Sequence, residues 1–320
     1  MDYKDEIELA DVFLEKCNIL SEEVSKIIIG QEEAIRLLII SIFCGGHSLL
    51  VGVPGLAKTL LINTLAKALN LDFSRIQFTP DLMPSDIIGS EVLDRDRNFK
   101  FIKGPIFSNV LLADEINRTP PKTQSALLES MQEYAVTIGG IQHKLNRPFF
   151  VLATQNPIEQ EGTYPLPEAQ LDRFMLMIKL DYPDYQTEVE IIKNTTINSE
   201  IVIKNILLKE EIKVFQNLVK SVPVVDNVFE YAVSLVHKTR PGKTGSSTQA
   251  NDYLEWGAGP RASQFLILGA KCNALMTGKY APDIEDVKAV AVSVLRHRIV
   301  RNFKAEAAGI SEIQIIQDLL

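Results

Sequence analysis

Short apolar runs alternate with helical stretches along residues 48–180. Unbroken apolar runs of this length are typical of strands buried on both faces. Leu61, Leu65 and Leu69 recur at helical spacing and predict a helix over Lys58–Asn70. Strand and helix in alternation predict a parallel α/β sheet. The predicted strands are Ser48–Val51, Phe73–Phe78, Asn109–Ala113, Phe149–Ala153 and Met175–Leu180.

Two further patterns interrupt this alternation. Thr119-Pro120-Pro121 predicts a helix start, with an N-cap followed by proline at the first helical position, and the helix runs to about Glu133. Within residues 134–145, apolar and polar residues alternate on both sides of Gly139-Gly140, which predicts a hairpin with a tight turn. These residues are compatible with an ordinary surface hairpin.

The pattern changes after Asp181-Tyr182-Pro183-Asp184. Beyond it the periodicity is helical and predicts no strand, and the polar stretch Pro241–Asp252 predicts a loop. Ser311–Leu320 fits a short amphipathic helix that docks on the body. We therefore expect an α/β domain over residues 1–180 and a smaller all-helical domain over 181–320. The predicted helices are Gln186–Asn194, Lys209–Ser221, Val225–Thr239, Ala262–Thr277 and Ile284–Val300.

Composition narrows the function classes. The 320 residues are 46% hydrophobic and 23% charged, which is ordinary for a soluble protein with a sizeable core. The net charge of −8 argues against a general affinity for nucleic acid or anionic membranes. Cys17, Cys44 and Cys272 are scattered without CxxC spacing, so the sequence predicts neither a disulfide framework nor a zinc site. With no secretory or membrane-spanning segment apparent, we expect a reduced, cytoplasmic compartment and no membrane insertion.

A glycine-containing loop joins the first strand to the first helix of the α/β region. Its backbone N–H groups and the helix N-terminus can bind phosphates, Lys58 can reach the β and γ phosphates, and Thr59 can complete a Mg²⁺ shell. Ala57 stands where the pattern has glycine; alanine is tolerable there if it keeps a negative φ, and on that expectation the loop is competent. Strand before and helix after argue against a chance Gly/Pro turn. The predicted ATP-binding residues here are Gly52, Val53, Pro54, Gly55, Leu56, Ala57, Lys58, Thr59 and Leu60.

Two carboxylates follow the third predicted strand. In open parallel sheets, ligands bind at the carboxyl ends of the strands. Asp114 there can hold Mg²⁺ through its water shell, and Glu115 can act as general base on the attacking water. The alternative for such an acid after a strand is a helix N-cap. Its position downstream of a phosphate loop favours the catalytic interpretation.

Four motifs in this order are highly specific: GVPGLAKT, ADEINR, the ATQNP run at Ala153–Pro157 and GTYPLPEAQLDRF at Gly162–Phe174. Together they resemble the MoxR branch of the AAA+ ATPases over nearly the whole chain. The resemblance implies an ATP- and Mg²⁺-dependent enzyme that forms hexameric rings with active sites between subunits. It also implies a chaperone-like role, either remodelling partner proteins, often ones with a von Willebrand A domain, or assisting metal or cofactor loading.

The resemblance assigns further roles. Asn156 looks like sensor 1, which orients the attacking water, although Asn-Pro after a strand is also a plain turn signal. Arg173 looks like the arginine finger offered to a neighbouring subunit, and a surface salt bridge with Asp172 or Glu168 is its alternative. Arg118 is a second interfacial candidate.

Two more positions complete the candidate site. Arg261 looks like sensor 2, and Pro260 before it places this cation at the positive end of a helix, where a nearby phosphate would account for it. Whether Arg261 serves its own or a neighbour's nucleotide stays open. Ile29 and Gly30 resemble the segment beside adenine, with a helix lead-in as the alternative.

Other functions are less compatible with these residues. A helicase-type motor shares the motifs, but the chain is acidic and its basic run 296–298 with Arg301 fits a solvated helix face or a subunit contact better than a nucleic-acid site. A magnesium-chelatase-type motor subunit is the closest rival. The presence of Glu115 argues against a scaffold that binds ATP without hydrolysing it. The lack of an NKxD motif argues against specificity for GTP.

Overall fold

The computed structural model describes residues 6–93, 95, 98–158, 162–196 and 201–320. Its strands are β1 Ser48–Val51, β2 Phe73–Gln77, β3 Gly89–Leu93, β4 Phe99–Lys103, β5 Val110–Asp114, β6 Ala135–Ile138, β7 Ile141–Lys144, β8 Phe150–Gln155, β9 Leu176–Lys179, β10 Leu254–Trp256 and β11 Val300–Arg301. Its helices are α1 Glu6–Ser25, α2 Glu32–Phe43, α3 Lys58–Ala68, α4 Pro84–Ile88, α5 Pro121–Glu133, α6 Glu168–Leu171, α7 Tyr185–Thr195, α8 Lys209–Ser221, α9 Asp226–Lys238, α10 Thr248–Tyr253, α11 Pro260–Met276, α12 Ile284–Leu295, α13 Phe303–Ala307 and α14 Glu312–Leu319.

A parallel sheet in the order β2-β5-β8-β1-β9 forms the centre of the α/β region. The predicted fold class is confirmed, with strand ends displaced by one or two residues. Alternate side chains of the buried strands belong to different hydrophobic clusters on the two faces, as for Leu111 and Leu112 on β5. Because all five strands are parallel, their carboxyl ends lie at one edge and their amino ends at the other.

The start of α5 differs slightly from the prediction. Pro120 rather than Thr119 occupies the N-cap position, and the helix begins at Pro121. Thr119 is buried, and its hydroxyl donates to the Thr79 carbonyl at 2.8 Å instead of capping the helix. The prediction of Thr119 as N-cap was therefore wrong by one residue.

Two antiparallel hairpins project from the α/β region. The predicted hairpin is confirmed as β6–β7, where Gly139 and Gly140 both have positive φ, as its two-residue turn requires. The β3–β4 hairpin was not predicted, since most of its side chains are exposed and give no alternating signal. The hairpins touch: the rings of Phe101 and His143 lie 4.2 Å apart.

The region after residue 180 is mostly helical, as predicted, but the expectation that it holds no strand was wrong. β10 and β11 pair as a short antiparallel ribbon, with Leu254 opposite Arg301. Strands of two and three residues leave too short a pattern to detect in the sequence. The loop predicted at Pro241–Asp252 also contains most of α10, and α12 ends at Leu295, earlier than expected. The terminal helix α14 is present and buries Ile315, Ile316 and Leu319.

The hydrophobic core runs across the predicted domain boundary at residue 180, and that boundary stays a prediction. Phe13 of α1, Phe43 of α2 and Phe215 of α8 form an edge-to-face triad with ring centroids 4.9, 5.2 and 5.9 Å apart. All three side chains are fully buried. The N-terminal helix α1 also contacts α11, so it packs against both parts of the molecule.

The cysteines are scattered in the sequence but not in the fold. Cys17, Cys44 and Cys272 are all buried and free, and Cys44 lies within hydrogen-bonding reach of Cys272. Burial raises the pKa of Cys17 and of Cys272 well above the ordinary value. Within the part of the chain that the structure describes, no helix combines the length and apolar character that a membrane crossing requires.

Candidate functional site

The phosphate loop connects β1 to α3 at the carboxyl edge of the sheet. Gly52 packs so closely against residue 180 that a Cβ there would lie 2.8 Å from the Leu180 carbonyl oxygen. Gly55 has φ +89° and open space where its Cβ would be. A loop that only glycine can build at these points has its backbone free to approach a ligand. The first N–H groups of α3 have no acceptor within the helix and are available to phosphate oxygens.

The negative φ expected for Ala57 is not found. It lies in the left-handed region at φ 53° and ψ 25°, at the N-cap of α3. The chain must turn sharply from the loop into the helix, and this turn places the residue where the loop pattern has glycine. A left-handed alanine costs about 1 kcal/mol relative to its preferred backbone.

The Lys58 ammonium lies over the loop. It donates to the carbonyl oxygens of Gly52 and Val53, the latter at 3.2 Å. Burial lowers the pKa of Lys58, and the nearby carboxylates of Asp114 and Glu115 act in the opposite direction. Both acceptors are neutral backbone carbonyls, so anionic phosphate oxygens can replace them as stronger partners of this cation. Thr59 is half-buried beside it, and Leu60 is largely exposed.

Asp114 ends β5 at the same edge and is buried. Its Oδ1 accepts a 2.6 Å hydrogen bond from the Thr154 hydroxyl of β8. Its Oδ2 accepts from Nε and Nη2 of Arg75 on β2, at 3.1 and 2.7 Å. The sequence analysis missed Arg75 and Thr154. Only the strand order, which places β2 and β8 on either side of β5, could have revealed them.

Glu115 follows in the left-handed region, at φ 56°. Its backbone N–H donates to the Thr154 hydroxyl at 2.8 Å, which fixes this conformation. Its carboxylate accepts from Gln77 at 2.7 Å and from Arg118 at 2.8 Å. Glu115 occupies the N-cap position of the short helical turn Ile116–Arg118, but its side chain makes no cap hydrogen bond there, so capping does not account for the carboxylate.

Asn156 follows β8 and is buried at the same edge. Its Oδ1 accepts from the Ile158 backbone N–H at 3.2 Å, which is the turn contact that its Asn-Pro sequence predicts. The structure thus brings Asn156, Asp114, Glu115 and the phosphate loop to one edge, while the role of Asn156 as sensor stays a prediction.

Ile29 and Gly30 lie where the α/β region meets the helical part. Gly30 has φ +74°, and a Cβ there would lie 2.3 Å from the methyl carbon of Thr187 on α7. Gln31 beside it donates to the Asp181 carbonyl at 3.2 Å. The segment therefore forms a tight junction rather than only a lead-in to α2.

Arg173 lies at the opposite, amino edge of the sheet. Leu176, which begins β9, is in register with Ser48, which begins β1, whereas the phosphate loop follows the other end of β1. The Arg173 guanidinium donates to the Leu128 carbonyl of α5. Its hydrogen-bond partner in the described structure is this carbonyl, so the alternative of a salt bridge with Asp172 or Glu168 is not supported.

Asp172 pairs with two arginines of the helical part at this edge. Arg261 donates to its Oδ2 at 2.7 Å and Arg298 to its Oδ1 at 2.8 Å. The Arg298 guanidinium also donates to the Asp172 and Phe174 carbonyl oxygens and lies over the ring of Phe265. Arg261 and Arg173 line one small cavity. The pairing with Asp172 gives the cation at the start of α11 an anionic partner within its own chain, and the role of Arg261 as sensor 2 stays a prediction.

The basic run 296–298 was predicted as a solvated helix face or a subunit contact, and the solvated-face interpretation is wrong. α12 ends at Leu295, and His297 and Arg298 fold inward and are buried. Burial lowers the pKa of Arg298 to about 10, while Asp172 acts in the opposite direction. Arg301 pairs with Glu312. The sequence analysis did not identify Arg298 as a contact between the α/β region and the helical part, because a run of cations normally indicates a surface exposed to solvent.

A five-stranded parallel sheet with a phosphate loop, an acidic strand end and a helical region after it defines a P-loop ATPase fold of the AAA class. Residues 47–176 match the family described as ATPase family associated with various cellular activities, and residues 246–319 match the AAA lid domain. The chain belongs to the MoxR-type AAA+ ATPases.

Similar proteins cover almost the whole chain. Chaperone MoxR1 of Mycobacterium tuberculosis is 43% identical over 93% of this chain and 79% of its own length. The uncharacterized protein YeaC of Bacillus subtilis is 38% identical over 93% of this chain and 91% of its own length. The crystal structure of a protein described as a candidate ATPase from Cytophaga hutchinsonii has a TM-score of 0.90 at 47% identity, covering 98% of this chain and 95% of its own.

Proposed function

We propose that this protein binds ATP with Mg²⁺ at the carboxyl edge of the sheet, hydrolyses it, and uses the energy to remodel or activate partner proteins. One observation carries the proposal. Lys58 at the start of α3, Asp114 at the end of β5 and Glu115 directly after it converge at the edge where parallel α/β sheets bind ligands. Burial lowers the pKa of Lys58, and both carboxylates lie close enough to act against that shift. A lysine and two acids in this arrangement match the needs of phosphoryl transfer to water.

The residues present fit Mg²⁺-ATP. Mg²⁺ prefers oxygen ligands and is usually held by one or two protein groups together with phosphates, and Thr59 and Asp114 supply a hydroxyl and a carboxylate. In the described part of the chain, no three His, Cys, Asp or Glu side chains could hold an ion by themselves, and phosphate oxygens and water would supply the other ligands. When bound, the ion would neutralise charge on the phosphate oxygens.

The roles of the side chains follow from their positions. The loop N–H groups and Lys58 bind the phosphates, and the Lys58 ammonium exchanges its carbonyl contacts for phosphate oxygens. Glu115 accepts the proton of the attacking water, and Asn156 orients that water. Ile29 and Gly30, at the junction of the two parts, lie beside the base.

Arg173 and Arg261 serve a neighbouring copy in this proposal. They lie at the amino edge, and the four residues of β1 alone separate that edge from the phosphate loop by about 13 Å. A side chain at the amino edge cannot then reach its own subunit's γ-phosphate, but it can reach one presented by a second copy. A closed ring, with six members as the family resemblance implies, gives every subunit such a neighbour.

The partner-remodelling role rests on two supports. One relative carries the name of a chaperone. The paired hairpins also present large apolar side chains to solvent, with Leu93 61%, Phe99 71% and Ile141 59% exposed. Exposed apolar patches of this kind mark protein interaction sites. A partner with a von Willebrand A domain is the proposed class. Burial of His297 and Arg298 removes the feature that could have favoured nucleic-acid binding.

The experiment is a comparison of two variants. Glu115→Gln should bind ATP as the parent does while its hydrolysis falls by about 10²–10⁴-fold, because only the base is lost. Lys58→Ala should weaken nucleotide binding itself. Glu133→Gln, an exposed residue at the end of α5, is the matched control and should hydrolyse ATP normally. Hydrolysis by Glu115→Gln at the parent rate would show that the base is assigned wrongly. The same variant, trapped with ATP, is the bait for partner proteins.

A further inference from the structure

The strand β2 supplies a cation to the acidic pair. Arg75 and Gln77 lie two residues apart, so both side chains point to the same face of β2. Gln77 is in register with Asp114 on the adjacent strand β5. Arg75 Nη2 donates to the Gln77 side-chain oxygen at 2.8 Å, and Gln77 in turn donates to Glu115 at 2.7 Å. One arginine therefore orients contacts to both carboxylates.

Arg75 covers the side of Asp114 that Thr154 leaves free. Oδ1 of Asp114 accepts from Thr154, and Oδ2 accepts from both Nε and Nη2 of Arg75. The Asp114 side chain is only 11% exposed, so little of the carboxylate remains for another ligand. The Arg75 side chain is 47% exposed, so its guanidinium can move into solvent when something else binds.

We propose that Arg75 is a resident cation that competes with the divalent ion for Asp114 and so sets the Mg²⁺ concentration at which the nucleotide site fills. The inference rests on the proposed function, because Asp114 is taken as the residue that holds Mg²⁺ there. Without the ion, Arg75 balances the buried negative charge of Asp114. With Mg²⁺ held at Asp114, the guanidinium would give up Oδ2, and Gln77 would lose the contact that orients it toward Glu115. Arg75 is a positioning residue and contacts neither substrate nor the reacting atoms.

The test is Mg²⁺-dependent binding of a fluorescent ADP derivative, which involves no hydrolysis. The nucleotide is kept dilute and Mg²⁺ is titrated, so that the formation of Mg–ADP in solution is the same for every variant. Arg75→Ala should lower the Mg²⁺ concentration at half-saturation by about three- to tenfold, the range expected for a half-exposed, charge-assisted pair. Arg75→Lys, which has a single point charge in place of the planar guanidinium, should have a half-saturating Mg²⁺ concentration between those of Arg75→Ala and the parent.

Arg95→Ala is the matched control, since it removes the same charge from an exposed position between β3 and β4 and should leave the half-saturation unchanged. An unchanged or raised half-saturating concentration in Arg75→Ala overturns the competition. Thermal melting verifies that each variant is folded. If Arg75→Ala does not fold, Arg75→Lys is compared with the parent instead. If the parent binds no nucleotide at any Mg²⁺ concentration, the proposed function itself fails; if it binds and only the shift is absent, this inference alone fails.

Discussion

The two edges of the central sheet are built in different ways. At the carboxyl edge, the functional side chains lie at or just beyond strand ends: Asp114 ends β5, Asn156 follows β8, and Lys58 begins α3 after the loop that follows β1. At the amino edge, Asp172 from the α/β region meets Arg261 and Arg298, which come from far along the chain. The first edge is a set of local motifs, whereas the second exists only when the helical part is in place.

The ion pairs at the two edges also differ in burial. The Arg75 side chain at the carboxyl edge is half-exposed, whereas that of Arg298 at the amino edge is 1% exposed. An exposed pair contributes little to stability and exchanges easily. A buried arginine with several acceptors is costly to remove, because its partners stay buried without it. The Arg298 pair at the amino edge is therefore fixed and the Arg75 pair at the carboxyl edge adjustable, while the Arg261 side chain at the amino edge is 40% exposed and resembles Arg75 in this respect.

The largest expected effect tests whether the carboxyl edge of one subunit and the amino edge of a neighbouring subunit together form one active site. Arg173→Ala should bind ATP nearly as the parent does and hydrolyse it about 10³-fold more slowly, because a guanidinium at a γ-phosphate contributes about 10³–10⁵ in rate in related enzymes. Mixing it with Lys58→Ala should restore part of the activity, since some interfaces then pair an intact loop with an intact arginine. ATPase assays on the mixture measure this.

Each variant measured alone is the control for that mixture. A mixture that stays inactive despite verified co-assembly would show that Arg173 does not act in trans. Full hydrolysis by a monomer at every protein concentration would contradict the shared site altogether.

The next effect concerns the difference in burial. Arg298→Met should lower the free energy of unfolding by about 3 kcal/mol, since the carbonyl oxygens of the 172–175 segment lose a buried donor. Arg75→Met should cost less, about 1–2 kcal/mol, because the lost guanidinium is half-exposed and the buried partner Asp114 keeps its hydrogen bond from Thr154. Urea unfolding of both variants gives the comparison. Equal losses would mean that the two arginine pairs are not fixed to different degrees.

The smallest effect concerns the left-handed residue of the phosphate loop. Ala57→Gly should raise the free energy of unfolding by about 0.5–1 kcal/mol, because glycine adopts this backbone without strain. Ala126→Gly within α5 is the matched control and should lower it by about 1 kcal/mol. Thermal or urea unfolding distinguishes the two signs. Destabilisation by both substitutions would show that φ at Ala57 is not a source of strain.

The sequence was sufficient for the parts of the molecule whose signal is local. The sheet strands are continuous apolar runs, and the phosphate loop and acidic pair have fixed spacings, so these were predicted to within a residue or two. Arg75 and Arg298 could not be predicted, because their partners depend on strand order and on how the helical part packs. The prediction of a negative φ at Ala57 was wrong. It was based on residue type alone, whereas the turn into α3 requires a positive φ. The β3–β4 hairpin was missed because its outward-facing residues show no periodicity.

The aromatic triad of Phe13, Phe43 and Phe215 has a consequence for how this chain could be divided or recombined. Its rings come from the first helix, the second helix and the region after residue 180, and each covers the other two from water. A fragment ending near residue 180 would expose Phe13 and Phe43, and the excised helical part would expose Phe215. The helical part is thus not an interchangeable module, and a chimera with a relative would have to carry α1 and α2 along with it.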